Sequence, residues 1–350
     1  MFTVQPLGNI PGGVAAAVYG VNEADEAVGA SGEGTSACPY ECAVVWHDGT
    51  PTVLKTQANM ASAATAINNA GQVAGYMFPN RGGLFTAVVW SNGTPTLLPG
   101  PPQYEDSLAN AINDAGQVVG QVFGSDSGFY EAAVWNGLTP MVLGVVPGCT
   151  AGVALGINGN GLIVGALGCG KDSVAEPAVW HGTTATLLPI PIKPTIGGPG
   201  GKAFAGNDLG LVVGSSNNAG GNNTPTAFNA TAWDNGVVTD LGPFPAKEGS
   251  SSATAVNKQG IIVGKSTWVL QELITHAALW SPIGSAPQDL NDLIGTAAAE
   301  VTLTEATGIN NHCTIVANGY SETGGYEAFL LKLIDPSRCV KGLVAQKPES

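Results

Sequence analysis

Short runs of alternating apolar and small or polar residues follow one another along the whole chain, separated by turns rich in Gly, Asn and Pro. That two-residue period predicts half-buried strands of about four to eight residues, and no stretch carries the spacing of an amphipathic helix. The strands come in a repeating phrase. Ala64-Thr65-Ala66-Ile67-Asn68-Asn69-Ala70-Gly71-Gln72-Val73-Ala74-Gly75 leads through a variable stretch to Ala87-Val88-Val89-Trp90, Asn92-Gly93 and Thr96-Leu97-Leu98. Clear copies start at Ile112-Asn113 and Ile157-Asn158, with their Trp at Trp135 and Trp180. Weaker ones start at Val21-Asn22, Asn207, Val256-Asn257 and Ile309-Asn310.

Successive Asn positions lie about 45 to 53 residues apart, the length of one four-stranded propeller blade. Each copy reads as strand, tight turn, strand, long loop, strand, Asn-Gly-like turn, strand. Seven copies predict an all-β, seven-bladed β-propeller. The last copy stops after its third strand, Ala328 to Leu333, while Phe2 to Gly8 resembles the fourth-strand segment Val238 to Gly242. The N-terminal strand, residues 2–8, is therefore expected to complete blade 7, giving one domain over residues 1–335 and a C-terminal tail at 336–350. The Ala-x-(Ala/Gly)-(Ile/Val)-Asn segment is read as the innermost strand, where only small side chains fit. The repeat Trp then fills the outer wedge between blades, with Leu331 in that place in the seventh.

The phrase resembles the HAF-repeat proteins, probable extracellular repeat proteins of bacteria, whose motif runs approximately Ile-Asn-x-x-Gly-x-Val-Val-Gly and then His-Ala-Phe-x-Trp. The resemblance covers nearly the whole chain and implies a propeller-like extracellular protein without implying an activity. The motif's His survives only at His276. Cys42, Thr86, Glu131, Glu176, Asn229 and Glu327 hold the equivalent positions, which argues against a shared catalytic role there.

Composition narrows the partners. Net charge is −14 with two Arg, so the cationic surface that nucleic acid or anionic membrane requires is missing. No apolar run reaches the roughly 18 residues needed to span a bilayer. Six Cys in an acidic chain point to disulfides in an oxidising compartment, hence a secreted, extracellular or periplasmic protein. Phe2 to Gly8 does not read as a signal peptide, and Met1 is taken to stand where a leader has been removed. A monomer without cofactor or metal is expected.

The turns between first and second strands (a-b) and between third and fourth (c-d) are uniformly brief. The b-c connections vary, as in Ala30 to Glu41, Ser215 to Asn229 and Lys265 to His276. Binding groups concentrate on variable loops held by a rigid frame, so the b-c/d-a face is the expected working face. Tyr76, Gln121, Ser215, Lys265 and Tyr320, just after the second strands, are placed at the channel rim there. Tyr104, Asp106, Lys202 and Glu305, leading into first strands, join them. This mixture suits a polar small molecule or sugar, and the expected reading is a binding or interaction module for carbohydrate or a protein ligand.

No catalytic residue is assigned. A polysaccharide lyase using Tyr76 or Tyr320 as base with Lys265 or Lys202, or a glycoside hydrolase using a pair from Asp106, Glu131, Glu176 and Glu305, is the alternative. The repeated Asn is read as a turn former rather than a calcium ligand. Gly260 to Ser266 imitates a phosphate loop but brackets a strand, and Gly124 to Gly128 imitates a hydrolase signature but reads as a b-c loop. His47, His181 and His312 belong on the face opposite His276, so the four do not converge. Trp268 is placed in a b-c loop. Topology predicts the disulfides Cys38–Cys42, Cys149–Cys169 and Cys313–Cys339.

Overall fold

The computed structural model describes residues 1–341 apart from 14, 33–37, 39, 81, 125–127, 192–199, 218–227, 245–248, 270–271, 282 and 323–324. Seven four-stranded antiparallel sheets form a seven-bladed β-propeller. The inner strands are Ala15–Val21, Met60–Ile67, Asp106–Ile112, Cys149–Ile157, Gly201–Gly206, Gly249–Val256 and Val301–Ile309. Six sheets keep chain order; in the seventh, Phe2–Leu7 pairs antiparallel with Tyr326–Leu333, so that Phe2 faces Leu333 and Leu7 faces Ala328. The N-terminal strand therefore closes the ring as the incomplete last repeat requires. Two short 3-10 turns, Leu290–Leu293 and Gly295–Ala299, join the sixth blade to the seventh.

Backbone geometry explains the turn residues. The last residue of every a-b turn has positive φ: Gly in five blades, Asp25 and Cys313 (both φ 61°) in the first and last. Glycine takes that conformation without steric penalty, and the two exceptions are held from outside. Asp25 pairs with Lys332 at 2.7 Å and Cys313 is cross-linked to Cys339. In the c-d hairpins Asp48-Gly49, Asn92-Gly93 and Asn235-Gly236 both central residues have positive φ, the geometry that matches strand twist.

The repeated Asn does more than form a turn. Asn158 Oδ1 accepts the N–H groups of Asn160 and Leu162, while its Nδ2 donates to Asn207 O of the next blade at 2.8 Å. All seven repeat this donation, from Asn22 to Asn68 and onward until Asn310 returns to Asn22, at 2.8 to 3.3 Å. A closed belt of side-chain amides thus ties every blade to the next. The following residue makes a second belt: Asp114 accepts from Asn69 N and Asp208 from Gly159 N. This belt breaks where the next blade offers Gly159 or Lys258, neither of which carries an acceptor.

Further out the repeat Trp fill the inter-blade wedges as expected. Trp46, Trp90, Trp135, Trp180 and Trp280 are wholly buried, and Leu331 replaces them in the seventh blade. Each indole N–H also donates to a carbonyl one or two residues past the preceding blade's outer strand, as Trp135 Nε1 does to Pro99 O at 2.8 Å. The core is correspondingly divided into clusters between blades; Val28, Ala43 and Leu54 of the first blade pack with Ala64, Met77 and Trp90 of the second.

Three expectations need correction. The inner strands do not take small side chains alone: the open x position of the motif is a β-bulge in every blade, at Tyr19, Thr65, Asn110, Leu155, Phe204, Thr254 and Thr307, flanked by Ala or Gly except at Val18. Bulging re-aims one side chain without moving its neighbours, so Tyr, Leu and Phe are accommodated there. Trp268 is not in a loop: it belongs to the strand Ile262–Val269, pairs with Gly249 and is buried edge-on between Phe244 and His276. Finally, Tyr76, Gln121, Ser215, Lys265 and Tyr320 lie inside second strands, which run longer than their apolar pattern indicates.

All six Cys are paired as predicted: Cys38–Cys42, Cys149–Cys169 and Cys313–Cys339. The last pins a short helix, Ser337–Lys341, beneath the final a-b turn. Residues 342–350 of the expected tail lie outside the described residues, as do most of the Ser215 to Asn229 connection and the centre of the Gly124 to Gly128 loop.

Candidate binding face

On the described residues, every exposed Tyr or Phe except Tyr19 lies at the b-c end of a blade. Tyr40, Phe129, Tyr130, Phe228 and Tyr320 stand there, and Tyr19, 40% exposed, is the bulged residue of the first inner strand. The large exposed side chains of the a-b and c-d turns are aliphatic, such as Leu138 and Leu209.

Around the joint of the last blade with the first two, these rings meet charge. Lys265 Nζ reaches Glu305 Oε1 of the next blade at 3.1 Å. Burial first, then the charges of Glu41, of the Tyr76 hydroxyl and of Glu305, push the Tyr19 hydroxyl up to about 12. Tyr326 is likewise pushed up to about 12, by burial first and then by Glu305, Tyr19 and Tyr320. Burial and Glu41 raise Tyr76, whose ring meets Phe85 edge-on at 5.5 Å. Tyr320 packs edge-on against Tyr326 at 5.4 Å. Tyr19, Tyr76 and Tyr326 therefore stay protonated at neutral pH and offer O–H donors beside carboxylate acceptors.

A second group joins the second and third blades. Asp106 Oδ1 accepts from Phe85 N at 2.9 Å, its Oδ2 lies 3.5 Å from the Tyr130 hydroxyl, and burial raises its carboxyl above the usual range. Burial, then a hydrogen bond to Glu131, raises Tyr104. Gln121 is half-buried in the same blade, between Leu108 and Ala132 in register. Lys202 and Ser215 face one another across two strands of the fifth blade and line a separate pocket of about 280 Å³ with Phe204 and Phe228.

Of the residues expected at the rim, Lys265, Glu305, Tyr320 and Tyr76 thus gather around the joint; Tyr104, Asp106 and Gln121 belong to the neighbouring group; and Lys202 and Ser215 stand apart. Tyr320 is not the counterpart of Tyr76. Counted from the pair at the Trp position, Val73 opposite Trp90 and Ile315 opposite Leu331, that place belongs to Asn318. Asn318 instead bridges to the first blade, accepting from Val18 N and donating to Val18 O. Tyr19, Glu41, Tyr130 and Tyr326 escaped sequence reasoning. For Tyr19 the available signal was a lone aromatic at the x position of the inner-strand motif.

The opposite face is built differently. Its channel mouth, about 190 Å³, is lined by the Asn belt and by Glu23, Asp114 and Asp208, whose carboxylates already accept backbone N–H groups. A cleft of about 680 Å³ opens there between the first two blades, beside Glu26, His47, Lys55 and Asn92. Glu26 is engaged by His47 at 3.0 Å and by Asn22 Nδ2 at 2.7 Å. His276 sits on the b-c side, where its Nδ1 meets Asp289 at 2.6 Å, and Asn229 makes the equivalent contact with Asp240 in the preceding blade. The recurrence marks this motif position as a structural tie between third and fourth strands.

The fold defines the chain as a β-propeller. No protein-family model matches it and no curated protein is significantly similar, so the HAF-repeat resemblance rests on the repeat motif. Among solved structures it is similar to TolB from Acinetobacter baumannii, at 12% identity and TM-score 0.43, over 75% of this chain and 63% of that one. It is also similar to a triple mutant of AofleA from Arthrobotrys oligospora, at 10% identity and TM-score 0.42, over 82% and 88% of the two chains. A gluconolactonase from Xanthomonas campestris aligns at 13% identity and TM-score 0.42, over 94% and 89%.

Proposed function

We propose that this protein is a secreted binding module that recognises carbohydrate on the b-c/d-a face. The observation that carries the reading is the segregation of exposed aromatic rings to that face, interspersed with the partly exposed carboxylates of Glu41, Glu131 and Glu305. Sugars present C–H faces that stack on such rings and hydroxyls that donate to such carboxylates. The net charge of −14 disfavours uniformly anionic polymers and leaves neutral or sparsely charged glycans. Three disulfides and the absence of a helix able to cross a membrane among the described residues agree with secretion.

Binding is favoured over turnover on the same chemistry. A lyase needs a base able to lose its proton near neutrality with a free cation beside it, whereas Tyr76 is raised, Lys265 is engaged by Glu305, and Lys202 lies in the separate fifth-blade pocket away from Tyr320 of the seventh blade. Asp106 and Glu131 are likewise tied to Tyr130 and Tyr104 within the scaffold. A glycan-array screen followed by a turnover assay on the hits tests the proposal. Binding without product formation is expected, and weakened at least tenfold by Tyr320→Ala; product formation, or no glycan bound at all, would overturn it.

A further inference from the structure

The pocket between the fourth and fifth blades differs from the rest of the face. It holds about 280 Å³, room for one aromatic ring and a short chain, and it is lined by Phe204 and Phe228 with Val174 and Ala175 of the neighbouring blade. Of its lining residues only Lys202 and Ser215 carry polar side chains, and they stand opposite one another in register. Lys202 has no ion pair among the described residues, unlike Lys265, which Glu305 neutralises. Two glycines let the backbone pass close to the second strand at the pocket's edge. A Cβ on Gly200 would stand 2.6 Å from Asn217 Oδ1, and one on Gly201 would stand 2.5 Å from the Ser215 carbonyl.

An apolar slot with one unneutralised cation and one hydroxyl selects for an apolar body ending in an anion. We infer that this pocket binds a small arylalkyl carboxylic acid, its ring between Phe204 and Phe228 and its carboxylate on Lys202 and Ser215. A charge-assisted bond to the carboxylate is roughly twice as strong as one to a neutral acceptor, so the acid is preferred to its neutral analogues. A sugar would leave most of its hydroxyls facing these apolar walls, which distinguishes the pocket from the carbohydrate-binding rim.

Calorimetric titration of the whole protein with 3-phenylpropanoate, 3-phenylpropanamide and propanoate tests the assignment. The aryl acid is expected to bind at least tenfold more tightly than either of the others, and more weakly as salt is raised. Lys202→Met should abolish the preference for acid over amide without changing the melting temperature, and Ala175→Trp should fill the slot and remove binding of both. Tyr320→Ala, which strips the rim, should leave it intact. Equal affinity for acid and amide, equal affinity for propanoate, retention of the preference in Lys202→Met, or no binding of 3-phenylpropanoate would each overturn the assignment.

Discussion

At the scale of single residues, the recurring Asn has two functions that separate on mutation. If it served only its own turn, Asp would replace it well, since a carboxylate accepts the same two N–H groups. The belt adds a donor, so Asn158→Asp loses the bond to Asn207 O and sets a negative charge against that carbonyl. Urea denaturation should show Asn158→Asp destabilised by about 1–3 kcal/mol; a variant as stable as the parent would reduce the Asn to a turn former. The turn was legible from sequence because its bonds are local, while the belt was not, because its acceptor lies 49 residues away. Asp25 offers a test by pH. Burial alone would raise its carboxyl, but hydrogen bonds from Lys332, Thr314 and Asn310 bring it below the usual aspartate range. A carboxyl depressed on folding contributes stability that is complete only above about pH 5, clear of the unfolded value, and is lost as pH falls through the folded value. Stability should therefore fall less steeply below about pH 4 in Asp25→Asn than in the parent, measured by urea denaturation across a pH series.

Elements were legible wherever the repeat was regular. Turn positions, the place of the inner strands though not their bulges, Trp wedges and disulfide faces followed from register alone. What failed was strand length: polar Ser266, Thr267 and Thr275 look like loop, yet they pair across the sheet as Ser266 with His276 and Thr267 with Thr275. Paired backbone, not apolar side chains, extends the strand there. Trp268 consequently moves from periphery to core, and Trp268→Ala should cost about 3–5 kcal/mol, comparable with Trp135→Ala. Thermal melts of the two variants side by side check this, and a near-neutral Trp268→Ala would restore the loop placement. The same lengthening hid Tyr326 and misaligned Tyr320, because Gly319-Tyr320 imitates Gly75-Tyr76 two positions out of step.

For the whole molecule, ring closure and face asymmetry matter most. Removing residues 2–7 would bare the strand Tyr326–Leu333 along six paired positions and leave an exposed sheet edge. Aggregation or a sharply lower melting temperature is expected, and a truncated protein that melts like the parent would refute closure by that strand. Face asymmetry is the claim on which function rests. Its most direct measurement is hydrogen–deuterium exchange of the whole protein with and without the strongest glycan found on the array. Protection should appear in peptides covering Tyr40 to Val44, Tyr76 to Thr86 and Asn318 to Tyr326, with no change at the a-b turns around Asn68, Asn113 and Asn158. Protection confined to those turns, or to the cleft beside Glu26 and His47, would place the ligand on the opposite face and contradict the account.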